Sequence, residues 1–353
     1  MSNALQVIVG RGAARHLANS GWQGRDVSLL LGASGGPKWL ILGHLDRLLF
    51  GSYLMQDRQE PLQAIGSSVG TWRHACLAQD NPIKALDRFE DIYVNWDYSD
   101  KPDAAEISAV SFSILGHIFG DSGAEALVHH PLLHSYIVTA RGRGLNSSTS
   151  RLALGVGMGG AGLLNALDRR LLASQFQRVV FASRGATAPL FRDFASTTVA
   201  LEPETVVRAL HASGAIPFVL AGERDLPGGP PGHYWDGGII DYHFGLDTFR
   251  SAPLVLYPHF RADLTPGWFD KFLPWRRYRP PLADNLILLS PSPTFIASLP
   301  QSKIPDRSDF MKLSADERKD YWRSCVERSR ELAEDFNKLI HGPDPLAGVT
   351  VLD

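Results

Sequence analysis

The sequence predicts an α/β fold in which a mostly parallel central sheet is flanked by helices. Short apolar runs, suited to buried strands, alternate along the chain with longer segments that have helical spacing. Glycine-rich turns join several of these runs to the segments that follow. Strands that alternate with helices in this way are typical of parallel sheets covered by helices on both faces.

The expected strands are apolar runs bounded by turn residues. They occupy residues 27–31, 62–65, 135–139, 178–182, 254–257 and 286–289. The expected helices place apolar residues three and four positions apart. They are a helix with Pro37 as its first residue, followed by helices over 69–78, 82–96, 104–118 and 206–211, and a long charged helix over 315–340.

The length of 353 residues allows either one large α/β domain or two domains. We expect a motif-bearing domain over residues 27–247 and a C-terminal extension over 251–353 that packs on it. Hydrophobic residues make up 44% of the chain and charged residues 20%, which is ordinary for a globular protein. The formal net charge of -2 gives no general attraction to nucleic acid or to anionic membranes.

Cysteine use and hydropathy predict a soluble, cytoplasmic protein. Cys76 and Cys325 are far apart and form neither a metal-binding nor a redox spacing, which indicates a reducing compartment. Residues 1–14 contain no long apolar segment of the kind that signal peptides have. No stretch reaches the roughly 18 consecutive apolar residues that a membrane-spanning helix needs.

A glycine turn follows the first expected strand and opens the helix at Pro37. Gly35 and Gly36 offer backbone N–H groups that no side chain obstructs, at a helix N-terminus where negative charge is stabilised. A tetrahedral oxyanion needs two or three such donors at about 3 Å. Lys38 adds a positive charge to this turn. A nucleotide-binding loop is not indicated, because G-x-G-x-x-G requires a glycine where Trp39 stands.

A second turn, over residues 66–70, fits the pattern G-x-S-x-G between an expected strand and an expected helix. Gly66 and Gly70 allow a sharp turn that lifts the hydroxyl of Ser68 clear of the sheet. The N–H of Val69 then faces the same space. Ser67 occupies an x position, and we expect it to face away or to cap the helix. A nucleophile beside an oxyanion site indicates acyl transfer.

Asp236 is the candidate proton acceptor. In isolation, its Asp-Gly sequence is a strong signal for a hairpin turn. The apolar residues around it, Trp235 and Ile239, indicate partial burial instead. Burial raises the pKa of a carboxyl group and makes it a better base near neutral pH, so Asp236 could take the proton of Ser68 directly.

Taken in order, these motifs resemble those of the patatin-like phospholipases. The segment 212–217, Ala-Ser-Gly-Ala-Ile-Pro, also resembles one that this family carries before its Asp-Gly motif. The resemblance covers roughly residues 27–247. It implies a three-layer α/β/α acyl hydrolase domain that uses a Ser-Asp dyad without a histidine. It also implies ester bonds of lipids or phospholipids as substrates. We expect no bound cofactor and no metal ligands among the candidate site residues.

Carried over residue by residue, the resemblance makes Ser68 the nucleophile and Asp236 the general base. The expected oxyanion hole consists of Gly35, Gly36 and Val69. The residues that support these motifs are Lys38 in the family's basic position and Gly66, Gly70, Gly237 and Gly238. The implied reaction forms an acyl-enzyme on the serine, which water then hydrolyses.

Two other functions stay open at this point. Ser34 and Trp39 stand where the family usually has glycines, which keeps open a lipid-binding protein with a decayed site. The other alternative is an α/β-hydrolase esterase with a Ser-His-Asp triad, in which His243 or His259 would be the base. That fold usually places its serine after more strands than precede Ser68 here.

Three further segments invite a functional interpretation. His129, His130 and His134 form a cluster, but a proline lies between them and no matching carboxylates follow, so ordinary loop or core histidines are expected. The glycine-rich stretch 155–162 is expected to pack closely on another element or to form a flexible wall of the acyl pocket. Residues 268–279 mix aromatic and basic residues, which suits a peripheral contact with a membrane, although a simple surface segment explains them too. They do not predict a nucleic-acid partner.

Overall fold

The computed structural model describes residues 4–120, 123–186, 191, 193, 196–276 and 283–352. It has an 11-stranded, mostly parallel sheet with helices packed around it, which confirms the predicted fold class. The strands are β1 (Leu5–Val9), β2 (Leu29–Gly32), β3 (Leu62–Ser67), β4 (Leu133–Gly142), β5 (Phe176–Ala182), β6 (Ser196–Ala200), β7 (Glu223–Arg224), β8 (His233–Asp236), β9 (Val255–Pro258), β10 (Leu286–Pro291) and β11 (Thr350–Val351).

The α-helices surround this sheet and are connected by loops and short 3-10 turns. They are α1 (Arg11–Ser20), α2 (Gly43–Leu48), α3 (Val69–Leu77), α4 (Pro82–Asn95), α5 (Ala104–Phe119), α6 (Glu125–His129), α7 (Arg151–Leu167), α8 (Pro203–Gly214), α9 (Pro293–Ser298), α10 (Asp309–Lys312), α11 (Ala315–Arg328) and α12 (Arg330–Ile340). None of the helices in the described ranges has the length and apolar character that crossing a membrane requires.

The strands that carry the motifs lie in the middle of the sheet. Its order is β11-β1-β10-β9-β2-β3-β4-β5-β6, and β8 pairs with β4 and β7. The neighbours β10, β9, β2, β3 and β4 run parallel, whereas β5 and β8 run antiparallel to β4. Every residue of β2, β9 and β10 is buried. This is the burial expected of central strands that helices cover on both faces.

All six expected strands are present, with ends that differ from the predicted ones by up to three residues. The prediction missed β1, β6, β7, β8 and β11, which are short or lie in segments without a clear apolar run. The strand β8 is instructive, because it ends at Asp236 in the segment that sequence alone assigns to a turn.

Three helix predictions need correction. The helix expected at Pro37 begins as a 3-10 helix over Gly36–Leu42, because Gly36 enters it at φ 55°. The expected helix over 315–340 is two helices, since the hydroxyl of Ser329 donates to the Val326 carbonyl and accepts from the N–H of His44, which interrupts the regular pattern. The stretch 155–162 was not predicted as a helix, and it lies inside α7. It packs closely on another segment, as one of the two expectations held, since a Cβ on Gly157 would lie 2.7 Å from Oδ1 of Asn146.

Residues after 250 contribute strands to the same sheet as the motif-bearing segment. β9 pairs with β2, and β10 lies between β9 and β1. In the last two long helices, Trp322 and Phe336 are completely buried. The ranges 27–247 and 251–353 therefore share one sheet and one hydrophobic core.

Candidate active site

The glycine turn and the serine turn lie side by side at one edge of the sheet. Gly32 at the end of β2 is in register with Gly66 near the end of β3, and the two strands are parallel. The segment that continues to Gly36 and the segment that continues to Ser68 therefore begin next to each other at the same edge of the sheet. Crevices beyond the carboxyl ends of parallel strands are the usual ligand sites of such sheets.

Asp236 lies at the same edge of the sheet, although it is distant from both turns in the sequence. Ser67 of β3 is in register with Val138 of β4, and the following residue, Thr139, is in register with Asp236 of β8. This pairing places Asp236 beside Ser68, from which it is separated by 168 positions in the sequence.

Ser68 has a strained backbone, with φ 55° and ψ -133°. Few residues other than glycine adopt such angles, and they concentrate at functional sites. The flanking glycines are required by close contacts: a Cβ on Gly66 would lie 2.8 Å from the nitrogen of Thr71, and one on Gly70 would lie 2.1 Å from the carbonyl oxygen of Gly32. The turn thus has the geometry that G-x-S-x-G predicts.

The hydroxyl of Ser68 donates a hydrogen bond to Oδ2 of Asp236, with 2.9 Å between the oxygens. The other carboxylate oxygen, Oδ1, accepts from the N–H of Gly238 at 2.7 Å. Glycine is needed at both following positions, because a Cβ on Gly237 would lie 2.2 Å from the Val138 carbonyl and one on Gly238 would lie 2.9 Å from Oδ1. Asp236 is therefore held in a fixed orientation toward the hydroxyl.

Burial raises the pKa of Asp236 above its ordinary value of 3.8. The positive charge of Arg307, the N–H of Gly238, the hydroxyl of Ser68 and the charge of Lys271 act in the opposite direction. The net direction is upward, so Asp236 is a stronger base than an exposed aspartate.

The segment 212–217 positions both members of the pair. The hydroxyl of Ser213 accepts from the N–H of Ser68 at 2.9 Å and donates to the Val138 carbonyl at 2.7 Å. The carbonyl of Ala215 accepts from the N–H of Asp236 at 2.8 Å. The resemblance singled out this segment, and the structure gives it a physical role.

A cavity of about 210 Å³ opens beside Ser68 and Asp236. Gly35, Gly36 and Lys38 line its polar side. Its apolar wall consists of Met158, Ile216, Pro217, Phe218, Ile239 and Trp268. A cavity with one polar end and an apolar wall can hold an ester with its hydrocarbon part next to the wall.

The amides of Gly35 and Gly36 are free to bind a ligand oxygen. Within the described part of the chain, neither N–H has a hydrogen-bond acceptor, and both residues line the cavity. A Cβ on Gly35 would lie 2.5 Å from the Phe260 ring, and one on Gly36 would lie 2.9 Å from Nε of Arg307. Val69, the third expected donor, directly follows Ser68 at the start of α3, and its side chain is buried.

Three cations surround this site, and sequence reasoning identified only one of them. Lys38 forms an ion pair with Asp306. Lys271 lies 3.6 Å from the centre of the Tyr242 ring, and burial, followed by the charges of Lys38 and Arg307, lowers its pKa to about 7. Arg307 lines the cavity beside Gly36. No local motif marks Lys271 or Arg307, because the fold brings them in from the C-terminal part of the chain.

The two departures from the glycine pattern leave the cavity open. Ser34 lines the cavity, and its hydroxyl donates to that of Ser67 at 2.9 Å. Ser67 is completely buried and does not line the cavity. Trp39 is buried and stacks on Phe89, with 4.2 Å between the ring centres. Its side chain therefore belongs to the core and does not line the cavity.

The two histidines considered as bases lie outside the cavity. His243 and His259 are completely buried and contact each other, with 4.3 Å between their ring centres. Nδ1 of His243 accepts the backbone N–H of Thr265, and Nδ1 of His259 lies 2.7 Å from the carbonyl oxygen of Arg261. Burial holds the pKa of His243 well below 6.5 and that of His259 at about 3. The hydroxyl of Ser68 is bonded to a carboxylate instead.

The described residues contain no group of three or more His, Cys, Asp or Glu side chains that could hold a metal ion. Of the aromatic and basic stretch 268–279, residues 277–279 lie outside the described residues. No protein-family model matches the sequence, and no curated protein does either. The chemistry of the site is therefore argued from its own geometry.

Proposed function

We propose that this protein is a serine acyl hydrolase that cleaves ester bonds of lipids with the dyad of Ser68 and Asp236. The observation that carries the proposal is the 2.9 Å hydrogen bond between Ser68 Oγ and Asp236 Oδ2, at a strained turn beside a cavity with free glycine amides. These are the parts that nucleophilic acyl transfer requires.

In the first step, Ser68 Oγ attacks the ester carbonyl carbon while its proton moves to Oδ2 of Asp236. The carbonyl oxygen gains a negative charge, which the N–H groups of Gly35 and Gly36 stabilise. The bond to the alcohol then breaks, and the departing oxygen takes the proton from Asp236. The products of this step are the free alcohol and an acyl group on Ser68.

In the second step, a water molecule gives a proton to Asp236 and attacks the acyl carbon. The tetrahedral intermediate collapses, and the proton returns from Asp236 to Ser68 Oγ as the fatty acid leaves. Asp236 thus acts first as base and then as acid in each half of the reaction. Its raised pKa favours the role of base, because Asp236 accepts a proton more readily than an exposed aspartate would.

The lipid nature of the substrate rests on two kinds of support. The motifs resemble those of the patatin-like phospholipases, and the cavity wall is mainly apolar.

The proposed location rests on the cysteines. Cys76 and Cys325 are both free and buried, in keeping with a reducing compartment. We therefore place the enzyme in the cytoplasm, with its substrate supplied from the surface of a membrane.

Replacement of Ser68 with alanine tests the proposal. The Ser68→Ala protein should lose at least about a thousandfold in kcat/KM for p-nitrophenyl butyrate, because no nucleophile remains. A fluorophosphonate probe should label the wild type and fail to label the variant. Ser67→Ala is the matched control, since this neighbouring serine does not line the cavity, and it should keep both activity and labelling.

The same assays decide against the proposal if Ser68→Ala hydrolyses the ester at the wild-type rate. Absence of labelling and of hydrolysis in the wild type would favour a lipid-binding protein without catalysis. Intact-mass analysis after labelling gives the number of modified serines, and peptide mapping places the adduct on Ser68 or elsewhere.

A further inference from the structure

Helix α7 exposes a stripe of large apolar side chains. Leu152, Val156, Leu163 and Leu167 are 60% to 80% exposed, and their spacing keeps them on one side of the helix. No charged residue occurs from 152 to 167, and the exposed positions between them include glycines. Single exposed leucines are common, but a continuous exposed apolar set marks a binding surface.

A neighbouring segment adds two aromatic rings to this surface. Phe272 and Trp275 are about as exposed as the leucines. Their segment is fixed against α7, because the guanidinium of Arg276 donates to the Asn165 carbonyl at 2.8 Å. We call Leu152, Val156, Leu163, Leu167, Phe272 and Trp275 the apolar ridge.

The ridge adjoins the cavity that contains the dyad, because the ring centre of Phe272 lies 5.9 Å from that of Trp268, which lines the cavity. Met158, which belongs to α7, lines that cavity. Trp268, four residues before Phe272, lines it too. Phe218, another lining residue, is itself partly exposed. The wall of the cavity and the ridge are thus built from the same two segments.

The charges around the ridge are mostly positive, although the whole chain has a formal net charge of -2. Residues 143–170 contain four arginines and a single acidic residue, Asp168, which is paired with Arg170. Arg169 is mostly buried in ion pairs with aspartates, so the exposed basic margin consists of Arg143 and Arg151. The acidic residue of the neighbouring segment, Asp270, is completely buried and accepts from Asn165. Exposed apolar side chains inside a basic margin complement a bilayer with anionic head groups.

We propose that the apolar ridge docks this protein on the surface of an anionic phospholipid bilayer, with the mouth of the acyl cavity against the lipid. The leucines and rings enter the boundary between head groups and acyl chains, and the surrounding arginines contact the anionic head groups. The part of this proposal that concerns the cavity mouth rests on the proposed function. Docking of the ridge on the bilayer does not require a reaction at Ser68.

Vesicle binding by the Ser68→Ala protein tests the docking without hydrolysis of the vesicles. Co-sedimentation should show binding to vesicles of phosphatidylcholine with phosphatidylserine, and weaker binding when phosphatidylserine is omitted or salt is added. Adding Leu152→Ser, Leu163→Ser and Leu167→Ser should lower the partition coefficient at least about tenfold. Met311→Ser is the matched control, because Met311 is 83% exposed on α10 and outside the ridge.

Activity measurements separate docking from chemistry. With Ser68 intact, the triple serine variant should hydrolyse monomeric p-nitrophenyl butyrate at the wild-type rate and vesicle lipid more slowly. Its thermal unfolding should match that of the wild type, since the three leucines are exposed. If no protein, including the wild type, hydrolyses the ester, but binding to vesicles still depends on the ridge, the proposed function is refuted and the docking proposal stands.

Three results would overturn the docking proposal. The first is no binding of the wild type or of Ser68→Ala to anionic vesicles. The second is equal binding by the triple serine variant. The third is that light scattering shows a dimer for the wild type and a monomer for the triple serine variant, while vesicle binding is unchanged. The ridge would then be a contact between two copies of the chain.

Discussion

The strained backbone of Ser68 is held by hydrogen bonds to one nearby residue and to two that are distant in the sequence. Its N–H donates to Ser213, its hydroxyl donates to Asp236, and its carbonyl accepts from the hydroxyl of Thr71. A conformation that costs free energy persists only when the surroundings fix it in several ways. The hydroxyl therefore points at the cavity before any substrate binds.

Arg307 should influence the pH dependence of the reaction through Asp236. Its positive charge favours the ionised carboxylate, so the Arg307→Ala variant should have an Asp236 of higher pKa. Because Asp236 must be ionised to act as base, the acid limb of kcat/KM against pH should move to higher pH. Profiles for p-nitrophenyl butyrate, measured at constant ionic strength, check this.

Arg15→Ala is the control for that measurement, because Arg15 is exposed on α1 and does not line the cavity. Its profile should coincide with that of the wild type. A limb that stays in place or moves to lower pH in Arg307→Ala would contradict the electrostatic role of Arg307.

The sequence was sufficient to select Ser68, Asp236 and the glycine turn, because each lies in a short motif whose chemistry is local. It was insufficient for Arg307 and Lys271, which reach the site only because the C-terminal part of the chain folds over it. Val69 was expected as an oxyanion donor from its place in the motif. Its side chain is buried at the start of α3, and the role of its N–H stays a prediction.

At the scale of the elements, α3 lies on β2 with no space for a side chain at the crossing. A Cβ on Gly70 would meet the carbonyl oxygen of Gly32 at 2.1 Å, and backbone cannot move aside as a flexible side chain does. The helix that begins at the nucleophile is thus set directly on the neighbouring strand. The position of Ser68 depends on this contact as well as on its own hydrogen bonds.

Gly70→Ala should therefore destabilise the protein by about 1–3 kcal/mol or more and lower activity through displacement of α3. Urea unfolding followed by circular dichroism gives the change in free energy, and kcat/KM for p-nitrophenyl butyrate gives the effect on the site. Gly116→Ala is the matched helical control, because a Cβ at Gly116 in α5 meets nothing within 4 Å. It should stabilise the protein by about 0.5–1 kcal/mol. Equal stability of the two variants would show that the crossing can relax.

Elements with a local signal were predicted well, and elements defined by distant contacts were not. The central strands are apolar runs, and their burial follows from that pattern. β8 has no such run, and it becomes a strand because it pairs with β4 and β7. The break at Ser329 likewise depends on a bond from His44, which no helical periodicity reveals.

On the scale of the whole molecule, three of the buried histidines have pKa values that burial, followed by neighbouring basic groups, shifts far downward. Burial lowers the pKa of His74 and of His259 to about 3, and that of His243 well below 6.5. Below pH 6.5 the unfolded chain binds protons at these positions that the folded protein does not bind. Stability should therefore fall as pH drops from about 6.5 toward 3, by up to about 1.4 kcal/mol per pH unit for each histidine.

Urea unfolding at several pH values between 4 and 8 checks this expectation, and the His74→Gln variant isolates one contribution. Whatever its effect at pH 8, its free energy of unfolding should fall less steeply toward low pH than that of the wild type. His341→Gln is the control, since His341 is exposed, and should follow the wild-type slope. Parallel slopes for His74→Gln and the wild type would refute the assignment.

The domain organisation was the feature least accessible to sequence reasoning. A boundary near residue 250 follows from where the motifs end, but strand order is decided by pairing across the whole chain. β9 enters the sheet between β10 and β2, so the segment after 250 completes the same layer as the segment before it. No feature of the sequence Val255–Pro258 indicates that β2 is the neighbour of this strand.

The place of β9 has a consequence for synthesis of the chain. As the ribosome releases the protein, β2 meets β3 early, but its other edge stays unpaired until residues 255–258 emerge. An open edge of this apolar strand can join other nascent chains. A chaperone that shields it during elongation would raise the yield of folded protein, and stalled or prematurely terminated products would accumulate as aggregates.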